Sequence, residues 1–190
     1  MENDISINEL EKRMRPKAYS VEGFLGLTES LEIVLHQDEI TLQKLGISYE
    51  QISAELEKIV GEALQQKDEL LCTNSKEYRE RENYSINWRK QPAPIFSLDN
   101  LPSPKIGYII ENKYQVFIIQ YRGFQECPWD CKNTDWNSFD FLLLNLQTGK
   151  YITAPGLITH LIRQHRFFEG KGTLYRLEPL KLAQVLGLVS

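Results

Sequence analysis

The chain has 190 residues, and 42% of them are hydrophobic. A chain of this length can bury one large core or two small ones without disulfide bonds, and an odd number of cysteines, 3, also argues against a disulfide framework. Its apolar runs are too short to cross a membrane, and the N-terminus lacks the charged and then apolar stretch of a secretory leader. We therefore expect a cytoplasmic protein with no membrane partner.

The net charge of -4 is unevenly distributed along the chain. Residues 1–90 carry 12 basic and 18 acidic side chains, whereas residues 91–190 carry 10 and 8 and hold 14 of the 20 aromatic rings. This contrast predicts a helical segment over 1–66, an ordered proline-rich connector over 67–104 and an antiparallel α+β domain over 105–190. Neither half has the clustered Lys and Arg that attract phosphate backbones, so nucleic acid is not an expected partner.

Two helices are predicted in the N-terminal segment. The first begins near Thr28, carries an apolar stripe through Leu45 and ends at Gly46. The second begins at Ser48, with Gln51 three positions later in the capping-box pattern. The pair superficially resembles a helix-turn-helix DNA reader, but the second helix presents glutamates, which repel phosphate. Helix packing is therefore the better interpretation.

The connector combines a charged run with four prolines between residues 92 and 104. Proline at this density favours extended chain. Several apolar side chains in the same stretch are unlike those of a free linker, so we expect it to lie against a protein surface as irregular or edge structure.

From Ile106 onward, short β-rich runs alternate with turn signals. The runs at 106–111 and 114–121 predict one hairpin, and the runs at 139–144 and 151–153 predict a second. Sequential hairpins imply an antiparallel sheet.

Helices and a further strand are predicted after the second hairpin. Residues 157–168 have a helical apolar pattern that ends by Gly170, residues 173–177 fit a fifth strand, and Pro179 begins a terminal helix. The predicted fold class is α+β: an N-terminal helical pair followed by an antiparallel sheet of four to five strands with two helices packed on it.

One pattern of cysteine and histidine has the composition of a zinc site. The pair Cys127 and Cys131 precedes the pair His160 and His165, and both local spacings occur in tetrahedral zinc sites. However, 28 residues separate the pairs, about twice the gap of a compact zinc finger. Positions five apart on a regular helix also point roughly 140° apart, so the helix would have to end between the histidines. Zinc is the candidate cofactor, but ordinary packing is the expected role of the cysteines.

Two other arrangements would use the same histidines. One replaces the thiols by Glu169 and an aspartate from the stretch 130–140, which would hold a metal through nitrogen and oxygen. The other makes Cys127 a nucleophile at the start of a short helix beginning with Pro128, because a helix dipole favours the thiolate. One of the histidines would then serve as the base, and an acidic side chain would orient it.

Aromatic and polar side chains are mixed in the stretch 122–139. Arginine and aromatic rings make good interface anchors, whereas most aromatic residues nearby are better explained as the core of the sheet. The candidate binding residues are those in the most polar surroundings: Arg122, Gln125, Trp129 and Trp136.

These features predict a non-catalytic binding or regulatory protein that uses the 122–139 loop to recognise a protein or small-molecule ligand. The alternative is a small metal- or cysteine-dependent hydrolase with Cys127 and His160 or His165 in its site. An enzyme should gather Cys127, a histidine and a carboxylate around one cleft, whereas a binding module should scatter them.

Overall fold

The computed structural model describes residues 5–73, 75–89, 106–123, 125–132 and 138–189. These residues form six α-helices and four β-strands. In chain order they are α1 (Ile7–Met14), α2 (Leu31–Leu45), α3 (Tyr49–Thr73), α4 (Lys76–Arg89), β1 (Tyr108–Ile110), β2 (Tyr114–Gln120), β3 (Phe139–Asn145), β4 (Tyr151–Pro155), α5 (Leu157–His165) and α6 (Pro179–Leu186). None of these helices combines the length and the apolar character needed to cross a bilayer.

The four strands form one antiparallel sheet in the order β1-β2-β3-β4. A row of paired, buried residues crosses it from Tyr108 to Val116, Leu143 and Ile152. Each strand pairs with the next in sequence, which confirms both predicted hairpins and the α+β fold class with its antiparallel sheet.

The two central strands of the sheet, β2 and β3, are buried on both faces. The row through Val116 faces the main core, whereas Phe117, Ile119 and Leu142 form a second cluster, with Tyr84 of α4 packed against it. Burial on both faces explains why the sequences of β2 and β3 are nearly continuous apolar runs, without a regular alternation of apolar and polar residues.

The predicted signals at the junction of α2 and α3 are confirmed, whereas α2 begins at Leu31 and not near Thr28. Gly46 ends α2 in the left-handed conformation, with φ of 67°. At the start of α3, the Ser48 backbone N–H donates to Gln51 Oε1 at 2.8 Å and the Gln51 N–H donates to Ser48 Oγ at 3.2 Å. The predicted capping box is therefore confirmed.

The first half of the predicted connector is helical, so the expectation of irregular or edge structure is wrong there. Helix α3 continues to Thr73, and α4 begins after Ser75, whose Oγ accepts the Tyr78 N–H at 3.1 Å. The ion pair between Arg81 and Glu77, at 2.7 Å and one helical turn apart, supports a charged sequence of good helix formers. The prolines of the connector lie outside the described residues.

Two predictions near the C-terminus are also corrected. Helix α5 ends at His165 and not at Phe168, because Arg166 adopts the left-handed conformation, with φ of 55°, and turns the chain. This turn lets Phe167 and Phe168 enter the core, where both are fully buried. Residues 173–177 form turns and irregular chain, so the fifth strand is absent from the described part of the chain.

One apolar cluster joins the N-terminal helices to the sheet domain. Met14 of α1, Ile52 of α3 and Leu161 of α5 are fully buried members of it. The predicted segments 1–66 and 105–190 thus share a core, and α3 lies in contact with α5. The position of α5 is therefore set from two sides.

Leu161→Asp should destabilise the fold severely, because Leu161 is fully buried in this core and the substitution places an unpaired charge there. We expect the melting temperature and the midpoint of urea unfolding to fall sharply. Gln164→Asp is the matched control, since Gln164 is an exposed residue of the same helix. Near-wild-type melting of the Leu161 variant would refute the assignment of this helix face to the core.

Candidate metal centre

Two thiols and two imidazoles meet where the β2–β3 loop approaches α5. Their potential ligand atoms all lie within 4.8 Å of one another, and the residues are Cys127, Cys131, His160 and His165. His165 Nε2 lies 3.4 Å from Cys127 Sγ and 3.3 Å from Cys131 Sγ. Tetrahedral zinc, with its usual bond lengths, separates a sulfur from a nitrogen ligand by roughly 3.6 Å. The two sulfurs and His165 Nε2 are therefore close to the spacing of zinc ligands, and His160 lies within the same group.

A tight turn brings the two cysteines together. The Asp130 backbone N–H donates to the Cys127 carbonyl at 2.9 Å, and Asp130 itself is left-handed, with φ of 57°. The carboxylate of Asp130 points away from the thiols, where it pairs with Arg13 and accepts the Tyr19 hydroxyl at 3.0 Å. Residues 128 and 129 form a turn, so the short helix expected at Pro128 is not present.

The two histidines meet although the helix does not end between them. Both lie within α5, and their ring centroids are 5.2 Å apart at an interplanar angle of 68°. His165 is the last residue of the helix, and its ring lies close to that of His160 despite the five positions between them. The angular objection drawn from an ideal helix is therefore wrong.

The long sequence gap between the pairs is also no obstacle. Strands β3 and β4 fill it, and the Gly156 N–H donates to the Phe139 carbonyl at 2.7 Å. This contact closes the base of the hairpin, so the chain leaves the loop and returns to α5 at the same end of the sheet.

Trp129 supports the orientation of one ligand. Its ring stacks on His165 with a centroid distance of 4.0 Å and an angle of 3°, and its edge meets Phe167 at 5.6 Å. Trp129 is half-buried. A predicted recognition residue is therefore engaged with the cysteine and histidine cluster.

Burial opposes the charged forms of Cys127, His160 and His165. It raises the pKa of the Cys127 thiol to about 12 and lowers the pKa of His165 to about 4, with His160 lowering the latter further. His160 Nε2 is buried and has no hydrogen-bond partner among the described residues. A buried nitrogen without a partner is costly. A divalent cation would supply its partner and stabilise the thiolates.

Neither Arg122 nor Gln125 is among the four donor residues of the cluster. Arg122 is exposed and Gln125 is half-buried. Trp136 lies outside the described residues. The predicted binding set thus contributes Trp129 alone to the cluster, as far as the described chain extends.

Carboxylates are likewise not part of the group. The Asp140 carboxylate accepts the hydroxyls of Tyr121 at 3.1 Å and Tyr175 at 2.9 Å. Within the described ranges, the cysteine and histidine cluster is the one group of three or more such side chains close enough to hold a metal. Glu169, Asp130 and Asp140 therefore do not form the alternative nitrogen and oxygen site with the histidines, and Asp135 lies outside the described residues.

Sequence reasoning missed the residues that hold the loop from outside. Arg13 and Tyr19 contact Asp130 across more than a hundred positions, and no local pattern indicates such a pairing. Arg13 also lies over the Tyr19 ring, 5.5 Å from its centroid.

Comparison of the chain with models of protein families, with curated proteins and with solved structures finds no match. The chemistry of the cluster must therefore be inferred from its own donor set and geometry.

Glu169, the acid that sequence analysis placed near the histidines, is fully buried. Its Oε2 accepts the Thr173 hydroxyl at 3.0 Å, whereas Oε1 has no partner among the described residues. Burial, reinforced by the nearby charge of Asp140, raises the pKa of Glu169 to about 8. The guanidinium of Arg176, which donates to the Glu169 carbonyl, opposes this shift only in part.

Glu169→Gln should change how stability depends on pH. The pKa in the folded protein, about 8, exceeds the ordinary value of 4.5. Between these values unfolding releases a proton, so this residue makes the free energy of unfolding fall as pH rises. The glutamine variant should lack that decline and exceed wild type above pH 8, by on the order of a few kcal/mol. Urea unfolding at pH 5, 7 and 9 measures the difference.

Glu22→Gln provides the control, because it makes the same chemical change at an exposed position. Its stability should follow the wild-type curve at all three pH values. If the Glu169 variant also follows that curve, Glu169 is ionised in the folded protein at neutral pH and the argument from burial fails.

Proposed function

We propose that the protein is a non-catalytic binding or regulatory module whose fold is completed by a structural zinc ion. The observation that carries the proposal is the convergence of four donor atoms within 4.8 Å, from Cys127, Cys131, His160 and His165. Zinc sites with four protein ligands are closed and structural, whereas catalytic sites keep one position open for water or substrate.

The donor set favours zinc over other abundant cations. Two sulfurs and two imidazole nitrogens suit a tetrahedral ion of intermediate softness. Calcium and magnesium prefer oxygen ligands, and the nearby carboxylate of Asp130 is engaged with Arg13 and Tyr19.

The ion would tie an irregular loop to a rigid helix. The described loop residues 125–132 have no helix or strand of their own, while α5 is anchored in the core through Leu161. A cross-link between them would order the loop before it meets a ligand and so reduce the entropy lost on binding. This supports the stretch 122–139 as a recognition surface for a protein or small-molecule partner.

A second candidate function is a cysteine-dependent hydrolase, which the 3.4 Å distance from Cys127 Sγ to His165 Nε2 favours. This distance is near that expected of a nucleophile and its base. However, the Cys127 side chain is only 2% exposed. Burial raises its thiol pKa to about 12, and both effects oppose attack on a substrate.

Protein purified without a metal-binding tag should contain about one zinc per chain by elemental analysis. A strong chelator should lower the melting temperature by on the order of 10 °C, because the binding energy contributes to folding. The variants Cys131→Ser and His160→Ala should lose both the metal and the response to chelator.

Matched controls are available for both substitutions. Cys72 and His36 are exposed, so Cys72→Ser and His36→Ala should keep the full zinc content. Protein that contains no metal and melts identically with chelator would exclude the zinc site.

Iodoacetamide labelling separates the two candidate functions. With a structural zinc ion, Cys127 should react more slowly than the exposed Cys72 until the metal is removed. A nucleophilic Cys127 should instead react faster than Cys72 near neutral pH, and His165→Ala should slow that reaction. Mass spectrometry of the labelled peptides gives both rates.

A further inference from the structure

We propose that the cysteine pair of this site is also an oxidation site, at which a peroxide converts Cys127 and Cys131 to a disulfide and expels the zinc ion. The inference rests on the proposed zinc site and assigns it a mode of regulation. It starts from the geometry of the turn, which holds the two Sγ atoms within 4.8 Å of each other.

The two thiols differ in access to solvent. Cys131 is partly exposed, whereas Cys127 is only 2% exposed and belongs to the apolar core. A small oxidant would therefore meet Cys131 first. Cys127 is then the resolving thiol, because it lies beside Cys131 and is shielded from direct attack.

Cys127 and Cys131 would be held as thiolates by bound zinc, and the thiolate is the form that reacts with peroxide. The Cys131 thiolate attacks one peroxide oxygen, the O–O bond breaks, and the departing hydroxide takes up a proton to become water. Cys131 is then a sulfenic acid. The Cys127 thiolate attacks this sulfur, an S–S bond forms, and the S–O bond breaks to release hydroxide, which also becomes water. The sulfurs lose two electrons and the peroxide gains them.

Loss of the ion follows from loss of the thiolates. A disulfide carries no negative charge and is a poor zinc ligand, so His160 and His165 would remain as the only ligands of the original four. Closing the bond requires the sulfurs to approach to about 2.05 Å. The turn at Asp130 already reverses the backbone between them, so the movement falls mainly on the partly exposed Cys131.

The oxidised turn should change its contacts on both sides. Trp129 and Asp130 lie between the two cysteines in sequence. Trp129 stacks on His165 at 4.0 Å, and Asp130 is held by Arg13 and Tyr19. The fluorescence of Trp129 is therefore a local reporter of the reaction. Helix α1 should stay in place, because Met14 is fully buried in the core independently of the metal.

The experiment uses the zinc-loaded full chain with Cys72→Ser, which leaves only the two cysteines of the site among the 3 of the chain. Hydrogen peroxide is added, zinc release is followed with a chromogenic chelator, and the disulfide is measured by mass spectrometry after alkylation. Trp88→Phe and Trp136→Phe in the same background isolate the Trp129 signal. We expect one zinc released for each intramolecular disulfide formed, a change in fluorescence in step, and recovery after thiol reduction with added zinc.

Each alternative outcome contradicts either the oxidation site or the zinc site itself. Zinc that stays bound while both thiols remain free in excess peroxide overturns the oxidation site and leaves the zinc site standing. Oxidation of Cys131 to the sulfinic acid, or a disulfide between two chains, also overturns the proposal. Protein that cannot be loaded with zinc overturns the proposed function itself, and this result is read before any peroxide is added.

Discussion

The rotational setting of α5 is the constraint on which the candidate site depends. The helix buries one apolar face completely, through Leu157, Ile158, Leu161 and Ile162. Exposing any of these side chains would cost roughly 1.5–3 kcal/mol, so the helix cannot turn about its axis. With that face fixed, the imidazoles fall on the flank toward the β2–β3 loop. Packing, and not ligand chemistry, therefore decides where the two nitrogen donors lie.

The loop that completes the site makes contacts on two opposite sides. Its inward face supplies Cys127 to the core and Trp129 to the His165 ring. Its outward face supplies Asp130 to Arg13, near the end of α1. A segment without regular secondary structure is thus held from both sides by contacts distant in sequence. A metal ion would add a further strong link to this segment, which is the role that structural zinc has in small or irregular elements.

Buried polar contacts explain why the chain after α5 is irregular and still ordered. Arg176, with its side chain 6% exposed, makes a bidentate ion pair with Asp38 of α2, which is 2% exposed. The Glu29 carboxylate accepts backbone N–H groups of Gly26 and Lys171 at 2.7 and 2.8 Å. These contacts tie residues 166–178 to α2 and to the segment just before it. Because the backbone there is committed to turns and to these partners, residues 173–177 do not form the predicted strand.

Local signals in the sequence were enough to determine the sheet hairpins, the capping box at Ser48, the stop at Gly46 and the terminal helix after Pro179. Each depends on residues within a few positions, so propensity and periodicity carry the information. The helix over residues 76–89 was not predicted, because the prolines and aromatic residues later in the connector 67–104 dominated its composition. The two cysteines, the two histidines and the spacing within each pair could also be identified from the sequence alone.

Whether those ligands meet was decided only by the tertiary structure. An ideal helix and a long gap both argued against a shared site, yet the two imidazole rings lie 5.2 Å apart and the closed β3–β4 hairpin brings the cysteine pair to them. The burial of Glu169 also could not be predicted from the residues near it in sequence. Glu169 is 0% exposed, and the charge of Asp140 contributes to its raised pKa. Distances between remote residues and the solvation of a side chain are properties of the packed chain. A single sequence therefore determines helices and strands far more directly than the geometry of a site.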